Sequence, residues 1–165
     1  MTLADYIESG ISINTNNSQT RAVAGDVDAP FGACDQDMLA RARHHIEERF
    51  AAVGITERFD DSLLLFASLF GWSRLHYVRA KVSRGPAPPP LSDRERELIE
   101  QLNALDLALY RDARERFKRA LAALPDLDAR RARLDRANAL YRPWATLTYT
   151  MPVRVRDRLR AACAG

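Results

Sequence analysis

The chain has 165 residues, of which 47% are hydrophobic and 28% charged, the composition of a globular domain rather than of a disordered or fibrous protein. Its longest apolar stretch, 63–70, is shorter than the roughly 18 residues of a membrane-spanning helix, and the N-terminus lacks the pattern of a secretory signal. Two widely separated cysteines, Cys34 and Cys163, favour free thiols over a disulfide framework or a zinc site. We therefore expect a cytoplasmic protein with no membrane-spanning segment and no metal.

Charge is distributed unevenly along the chain. Residues 1–70 contain 5 arginines and 11 acidic residues, whereas residues 71–165 contain 20 basic and 11 acidic residues. The second half is therefore the one that attracts anions. We expect no nucleic-acid partner, because neither a known reading motif nor a cluster of stacking aromatic residues accompanies the arginines.

Apolar spacing predicts a mostly helical chain. The predicted helices cover residues 2–9, 18–23, 36–49, 60–70, 93–123 with a break at Asn103 left open, and 126–140. The expected N-caps are Thr2, Asp35 or Gln36, Asp60 or Asp61, and Ser92. Gly71 is expected to end the helix over 60–70, which is apolar almost all round and should be largely buried, and Pro143 with Trp144 to stop the last helix.

Two segments depart from the helical pattern. The short apolar run around 52–56 contains β-branched residues and predicts one principal buried strand of the kind found in parallel α/β sheets. The Pro-rich stretch 72–92 predicts an extended loop. The last residues, 146–165, suggest a short strand followed by a basic amphipathic helix.

Several segments resemble a known family of enzymes. VGITERFDDSLLLFASLFGW at 53–72 and LIEQLNALDLALYRDARERF at 98–117, together with NNSQTRAVAG at 16–25 and FGAC at 31–34, are similar to sulfotransferases that use phosphoadenosine phosphosulfate (PAPS). The likeness is to the C-terminal part of the heparan sulfate and uronyl 2-O-sulfotransferase-like branch. It covers about residues 2–122.

The resemblance implies a P-loop-like α/β fold, of which this chain would be the C-terminal half. Residues 1–124 would form an incomplete sulfotransferase domain, and residues 125–165 a helical, Arg-rich extension. The family's phosphosulfate loop has no counterpart, since the sequence has no Gly-rich phosphate loop and no lysine before Lys81. The missing N-terminal half of the domain is therefore an expected partner, and the general base also lies in that half, so we assign no catalytic residue.

A basic segment is the strongest candidate for holding the nucleotide of PAPS. Its five candidate residues are Arg79, Lys81, Ser83, Arg84 and Gly85. Related enzymes hold the 3′-phosphate of the nucleotide with a late basic loop beside a glycine, which lets the main chain come close to the ligand. A charge run is also typical of a solvated surface, and the sequence alone leaves both interpretations open.

Gln19 and Arg21 lie in the polar segment that the resemblance places near the active-site cleft. The planar guanidinium of Arg21 is suited to a phosphate, sulfate or carboxylate, so we predict that both residues contact the carbohydrate acceptor. The alternative for Arg21 is a surface salt bridge at a helix start. The sequence does not decide between them.

Other polar residues fit structural roles better than chemical ones. His44 and His45 point in different directions on a solvated helix face, His76 suits packing or the surface, and the pair Glu57–Arg58 suits local pairing. Asn103, Asp106 and Tyr110 share one side of a helix and predict a polar network that joins it to the core.

The predicted function is therefore that of a C-terminal sulfotransferase segment, inactive alone, which acts on a carbohydrate hydroxyl with PAPS as donor. The alternative is a non-enzymatic helical interaction module whose basic face binds an acidic partner.

Overall fold

The computed structural model describes residues 1–78 and 89–145. Those residues form seven α-helices and no β-strand. The helices are α1 (Leu3–Glu8), α2 (Ser18–Ala24), α3 (Gln36–Arg49), α4 (Phe59–Phe70), α5 (Asp93–Leu102), α6 (Ala104–Ala122) and α7 (Leu127–Ala145). Single 3-10 turns cover Ile13–Thr15 and Thr56–Arg58.

The chain divides into two compact units. The first contains residues 1–55 and 87–120, and the second contains residues 56–86 and 121–165. This division is by compactness, so the boundary at residue 124 between a sulfotransferase portion and an extension stays a prediction.

The first unit is built on α2 and α3, with α5 packing against α1. Its core consists of small and aliphatic side chains that come from both ends of its sequence. The buried members are Ala24, Ala29, Met38, Leu39, Ala42, Ile46, Leu105 and Leu109. Leu109 is 4% exposed, as its position in the apolar stripe of α6 predicts.

The second unit is built on α4 and α7, which pack against each other. Leu64 and Leu65 of α4 are buried, as is Leu134 of α7. The expectation that α4 is largely buried holds only in part: Leu69 and Phe70 are about half exposed, and Phe66 is only partly buried. An apolar composition does not require burial on every face, since folded proteins keep much apolar surface exposed.

The predicted strand at 52–56 is also wrong. Thr56 begins a 3-10 turn, and residues 52–55 have no regular structure. A strand needs a neighbour to satisfy its backbone groups, and the described part of the chain offers none. Burial of this run is nevertheless real, because Ile55 is buried and Val53 packs against the core of the first unit.

Local capping explains the starts of α1, α3 and α5. Thr2 and Ser92 are the N-caps that the sequence predicts, and each forms a capping box, with Asp5 and Glu95 respectively. Of the two predicted starts of α3, Asp35 is its cap. The expected cap at Asp60 or Asp61 is wrong, because α4 begins at Phe59 and both carboxylates lie in its first turn. Negative charge is favourable there too.

Gly71 ends a helix, whereas Pro143 lies inside one. Gly71 ends α4 in a left-handed conformation, φ 69°, which glycine adopts without strain. Pro143 does not stop the last helix, which continues to Ala145. A proline lacks a backbone N–H and therefore costs one helical hydrogen bond, but it does not by itself end a helix. The predictions for 146–165 lie outside the described residues.

Candidate functional site

The second unit contains a cavity of about 330 Å³ between α4, α7 and the segment that follows Gly71. Its floor is apolar and its rim is basic. The lining residues are Leu64, Ala67, Trp72, Ser73, Arg74, Leu75, His76, Arg130, Arg133, Leu134 and Ala137. We call this cavity the basic pocket, because its described lining carries three arginines and no carboxylate.

Tyr77 fixes the extended segment that forms one wall of the basic pocket. Its backbone N–H donates to Oδ1 of Asn138 on α7 at 2.8 Å, and its hydroxyl donates to Oδ1 of Asp60 on α4. The neighbouring His76 ring lies 4.1 Å from the ring of Tyr141, between centroids. The segment is therefore attached to both helices although it has no regular secondary structure.

A separate ion-pair cluster surrounds Asp61. This carboxylate is 7% exposed and pairs with Arg58 and with Arg131, whose Nε lies 2.7 Å from Oδ1. The hydrogen bond from Arg131 outweighs burial and, together with Arg58, holds the pKa of Asp61 below its usual value. The cluster includes the Arg58 of the predicted Glu57–Arg58 pair, whose guanidinium is thus engaged locally, while Glu57 is exposed.

In the first unit, the predicted acceptor residue Arg21 is only 2% exposed. Its guanidinium donates to four groups of the protein, all within the segment 16–34. The acceptors are the carbonyl oxygen of Ala29, Oδ1 of Asn16 at 2.8 Å, the carbonyl oxygen of Pro30 at 3.0 Å and Sγ of Cys34 at 3.1 Å. Arg21 therefore stabilises the conformation of this segment, and within residues 1–78 and 89–145 it forms no salt bridge.

Gln19, the other predicted acceptor residue, has an exposed side chain. Its backbone N–H donates to Oδ2 of Asp106 at 3.0 Å. The side chain remains accessible to a ligand while the backbone is fixed. The acceptor-binding role of both residues stays a prediction.

The predicted polar face of α6 is a structural network. Oδ1 of Asp106 accepts from the N–H and the hydroxyl of Thr20 in the first turn of α2. In return, Oδ1 of Asn17 accepts the N–H groups of Leu105 and Asp106 at the start of α6. Each helix thus supplies the cap of the other, which satisfies donors that have no partner within their own helix.

Asn103 breaks the long helical region into α5 and α6, as the sequence allowed. Its side-chain amide donates to the carbonyl oxygens of Thr15 and Ile99, each at 3.0 Å, and its Oδ1 accepts from the N–H of Asn17. Tyr110 is half-buried.

The histidines fit structural roles. His45 is half-buried and its Nδ1 lies 2.8 Å from the carbonyl oxygen of Val23, while His44 is exposed. In residues 1–78 and 89–145, no group of histidine, cysteine and acidic side chains is arranged to hold a metal ion. The same residues contain no helix with the length and apolar character needed to cross a membrane.

The candidate donor segment, Arg79 to Gly85, lies outside the described residues. Sequence reasoning missed the basic pocket, even though it correctly located the excess of positive charge in the second half. The segment 72–76 and the two arginines of α7 are more than fifty residues apart in the chain, and no local pattern links them.

Comparison with known proteins gives one family. The family model described as galactose-3-O-sulfotransferase matches residues 16–144, whereas no curated protein and no solved structure matches the chain. The match supports a carbohydrate sulfotransferase but not the heparan sulfate and uronyl 2-O branch. The segments that suggested that branch are mainly helix-forming runs, whose apolar spacing reflects packing and carries little information about the acceptor. The chain belongs to the galactose-3-O-sulfotransferase family.

Proposed function

We propose that this chain acts within an enzyme that transfers a sulfuryl group from PAPS to a hydroxyl group of a carbohydrate. The observation that carries the proposal is the family match, which spans most of the chain. The P-loop-like sulfotransferase fold is part of the same proposal. The basic pocket adds support, because it combines an aromatic side chain with cations, a combination suited to polar and anionic ligands.

In the proposed reaction, the acceptor hydroxyl oxygen forms a bond to sulfur while the bond between sulfur and the bridging phosphate oxygen breaks. Adenosine 3′,5′-bisphosphate leaves, and the hydroxyl proton passes to a general base. Cations that neutralise the moving charge stabilise such in-line transfers, by analogy with phosphoryl transfer. We assign the base to no residue of this chain.

We further propose that the chain alone does not catalyse transfer. A phosphosulfate is commonly held by backbone N–H groups at a helix start together with a nearby lysine. The sequence contains no Gly-rich phosphate loop, and its first lysine is Lys81. The phosphosulfate would therefore be held by residues other than those of this chain.

The segment from Arg79 to Gly85 is the proposed site for the 3′-phosphate of the nucleotide. It contains Arg79, Lys81 and Arg84, and these cations can surround a dianion. The segment follows directly on Tyr77 and Val78, and Tyr77 is attached to α4 and α7. A fixed starting point limits the conformational freedom that such a loop loses when it binds.

Gln19 and Arg21 would have different roles in binding the acceptor. The exposed side chain of Gln19 is available to a sugar hydroxyl. Arg21 would act as a positioning residue, since its guanidinium donates to four protein groups within the same segment.

The donor site is tested by the Arg84→Ala variant of an enzyme that contains this chain and a phosphosulfate loop. Binding of adenosine 3′,5′-bisphosphate should weaken by about 1.5–3 kcal/mol, the range for a charged hydrogen bond. Adenosine 5′-phosphate, which lacks the 3′-group, should bind equally to both proteins. Arg111→Ala, at an exposed position of α6, is the control. Equal weakening of both nucleotides, or of neither, contradicts the assignment.

A further inference from the structure

The basic pocket carries more positive charge than its surroundings neutralise. Among the described residues, neither Arg74 nor Arg133 has a carboxylate within salt-bridge distance, whereas the adjacent Arg131 pairs with Asp61 and Asp128. Arg130 donates to the carbonyl oxygen of Pro125. An anion that enters the pocket would therefore pair with arginines without breaking an existing ion pair.

The remainder of the lining is suited to a ring with an apolar face. Leu64, Ala67, Leu134 and Ala137 contribute aliphatic surface. Trp72 is about half exposed at the rim, and its ring centroid lies 5.6 Å from that of Phe70. An indole that is supported on one side and accessible to solvent resembles the aromatic platforms on which ligand rings stack.

The size of the cavity restricts the ligand. About 330 Å³ is near the lower end of the roughly 300–1,000 Å³ typical of small-molecule sites. Such a volume suits one sugar ring with a single charged substituent better than an entire nucleoside bisphosphate. Tyr77 attaches the wall to both helices, which reduces the conformational entropy that the wall loses when a ligand binds.

We propose that the basic pocket binds an acidic sugar, that is, a sugar ring that carries a sulfate or carboxylate group. The ring lies against Trp72, and the anionic group pairs with Arg74 and Arg133. This inference rests on the proposed function, which it refines by selecting acceptors that are already charged.

Calorimetric titration of the full chain tests the proposal with four defined probes. They are digalacturonic acid, lactose 6′-sulfate, neutral lactose and sodium sulfate. The two acidic disaccharides should bind at least about tenfold more tightly than lactose or free sulfate, because only they engage both the arginines and Trp72. Equal binding of lactose overturns the role of charge, and equal binding of free sulfate overturns the role of the sugar ring.

Variants of α7 locate the site. Arg133→Ala should weaken binding of both acidic disaccharides about fivefold or more, whereas Arg136→Ala, an exposed arginine of the same helix outside the pocket, should change it less than twofold. If circular dichroism shows that Arg133→Ala is unfolded, Arg74→Ala provides the same comparison from the opposite wall. Equal effects of the pocket and control variants overturn the proposal.

Three further results separate this inference from the proposed function. The first is competition by adenosine 3′,5′-bisphosphate. If this nucleotide displaces the sugars and binds more tightly than they do, the pocket belongs to the donor and the inference is overturned. Sulfuryl transfer to neutral acceptors only, by an enzyme that contains this chain, would also overturn it and would leave the proposed function intact. Binding of acidic sugars by an enzyme that contains this chain and a phosphosulfate loop, without transfer to any carbohydrate, would support the inference and contradict the proposed function.

Discussion

Asp106 and Thr20 lie 86 residues apart in the chain, yet a single carboxylate oxygen of Asp106 accepts two hydrogen bonds from Thr20. Both bonds are 2.7 Å long, one from the backbone N–H and one from the hydroxyl. Thr20 is fully buried. The pair connects the start of α2 to the first turn of α6 and stabilises the first unit.

Removal of the Asp106 carboxylate should therefore destabilise the protein. Asp106→Ala leaves three donors of α2, two of them partly buried, without their acceptor, and the free energy of unfolding should fall by about 2–4 kcal/mol. Asp112→Ala is the matched control on the same helix, since Asp112 forms only an exposed pair with Arg43 and its loss should cost less than about 1 kcal/mol. Urea denaturation that shows equal stability for the two variants would contradict the capping role.

The role of Arg21 is tested by Arg21→Met, which keeps most of the side-chain volume and removes the hydrogen bonds. Stability should fall by about 2–4 kcal/mol, because buried carbonyl oxygens lose their donor. Arg41→Met, at an exposed position of α3, should have little effect. Unchanged stability combined with a loss of carbohydrate binding would instead make Arg21 a direct ligand of the acceptor.

Asp61 makes stability depend on pH in the acidic range. In the folded protein the pKa of Asp61 is lowered from its usual value of 3.8, mainly by the hydrogen bond from Arg131. Ionised Asp61 therefore stabilises the folded protein fully at any pH above the pKa that it has in the unfolded chain. That contribution is lost as the pH falls through the still lower folded pKa.

Asp61→Asn should be about 1–2 kcal/mol less stable than the unmodified protein at pH 7, with a difference that narrows below about pH 4. The measurement is the free energy of unfolding of both proteins between pH 7 and pH 2. A difference that stays constant across this range would show that ionisation of Asp61 does not contribute.

The sequence predicts helices where the stop and start signals are local. Ser92 and Glu95 lie three residues apart and form their capping box as expected. The start of α6 could be suspected only from Asn103, because its actual cap, Asn17, lies 88 residues from Leu105. Local patterns contain no information on such a partner.

Contacts between distant parts of the chain account for the features that the sequence does not predict. The β-branched run that includes Val53 and Ile55 predicts burial correctly, but a strand depends on a second strand that no local pattern reveals. The sequence leaves the role of Arg21 open, because its burial results from the segment 16–34, which folds around its side chain. The basic pocket requires α7 to meet the segment around Trp72, which only the tertiary structure shows.

Transfer of radiolabelled sulfuryl groups from PAPS to β-galactoside and acidic glycan acceptors tests the assignment to carbohydrate sulfation most directly. The samples are the chain alone, the chain joined to the phosphosulfate-binding segment of a longer member of the galactose-3-O-sulfotransferase family, and the joined protein with Arg84→Ala. We expect no transfer above a heat-inactivated control for the chain alone, clear transfer for the joined protein, and reduced transfer for the variant. Transfer by the chain alone would contradict the proposed division of the active site. A folded joined protein that binds adenosine 3′,5′-bisphosphate but sulfates no glycan would contradict the sulfotransferase function itself and favour an interaction module.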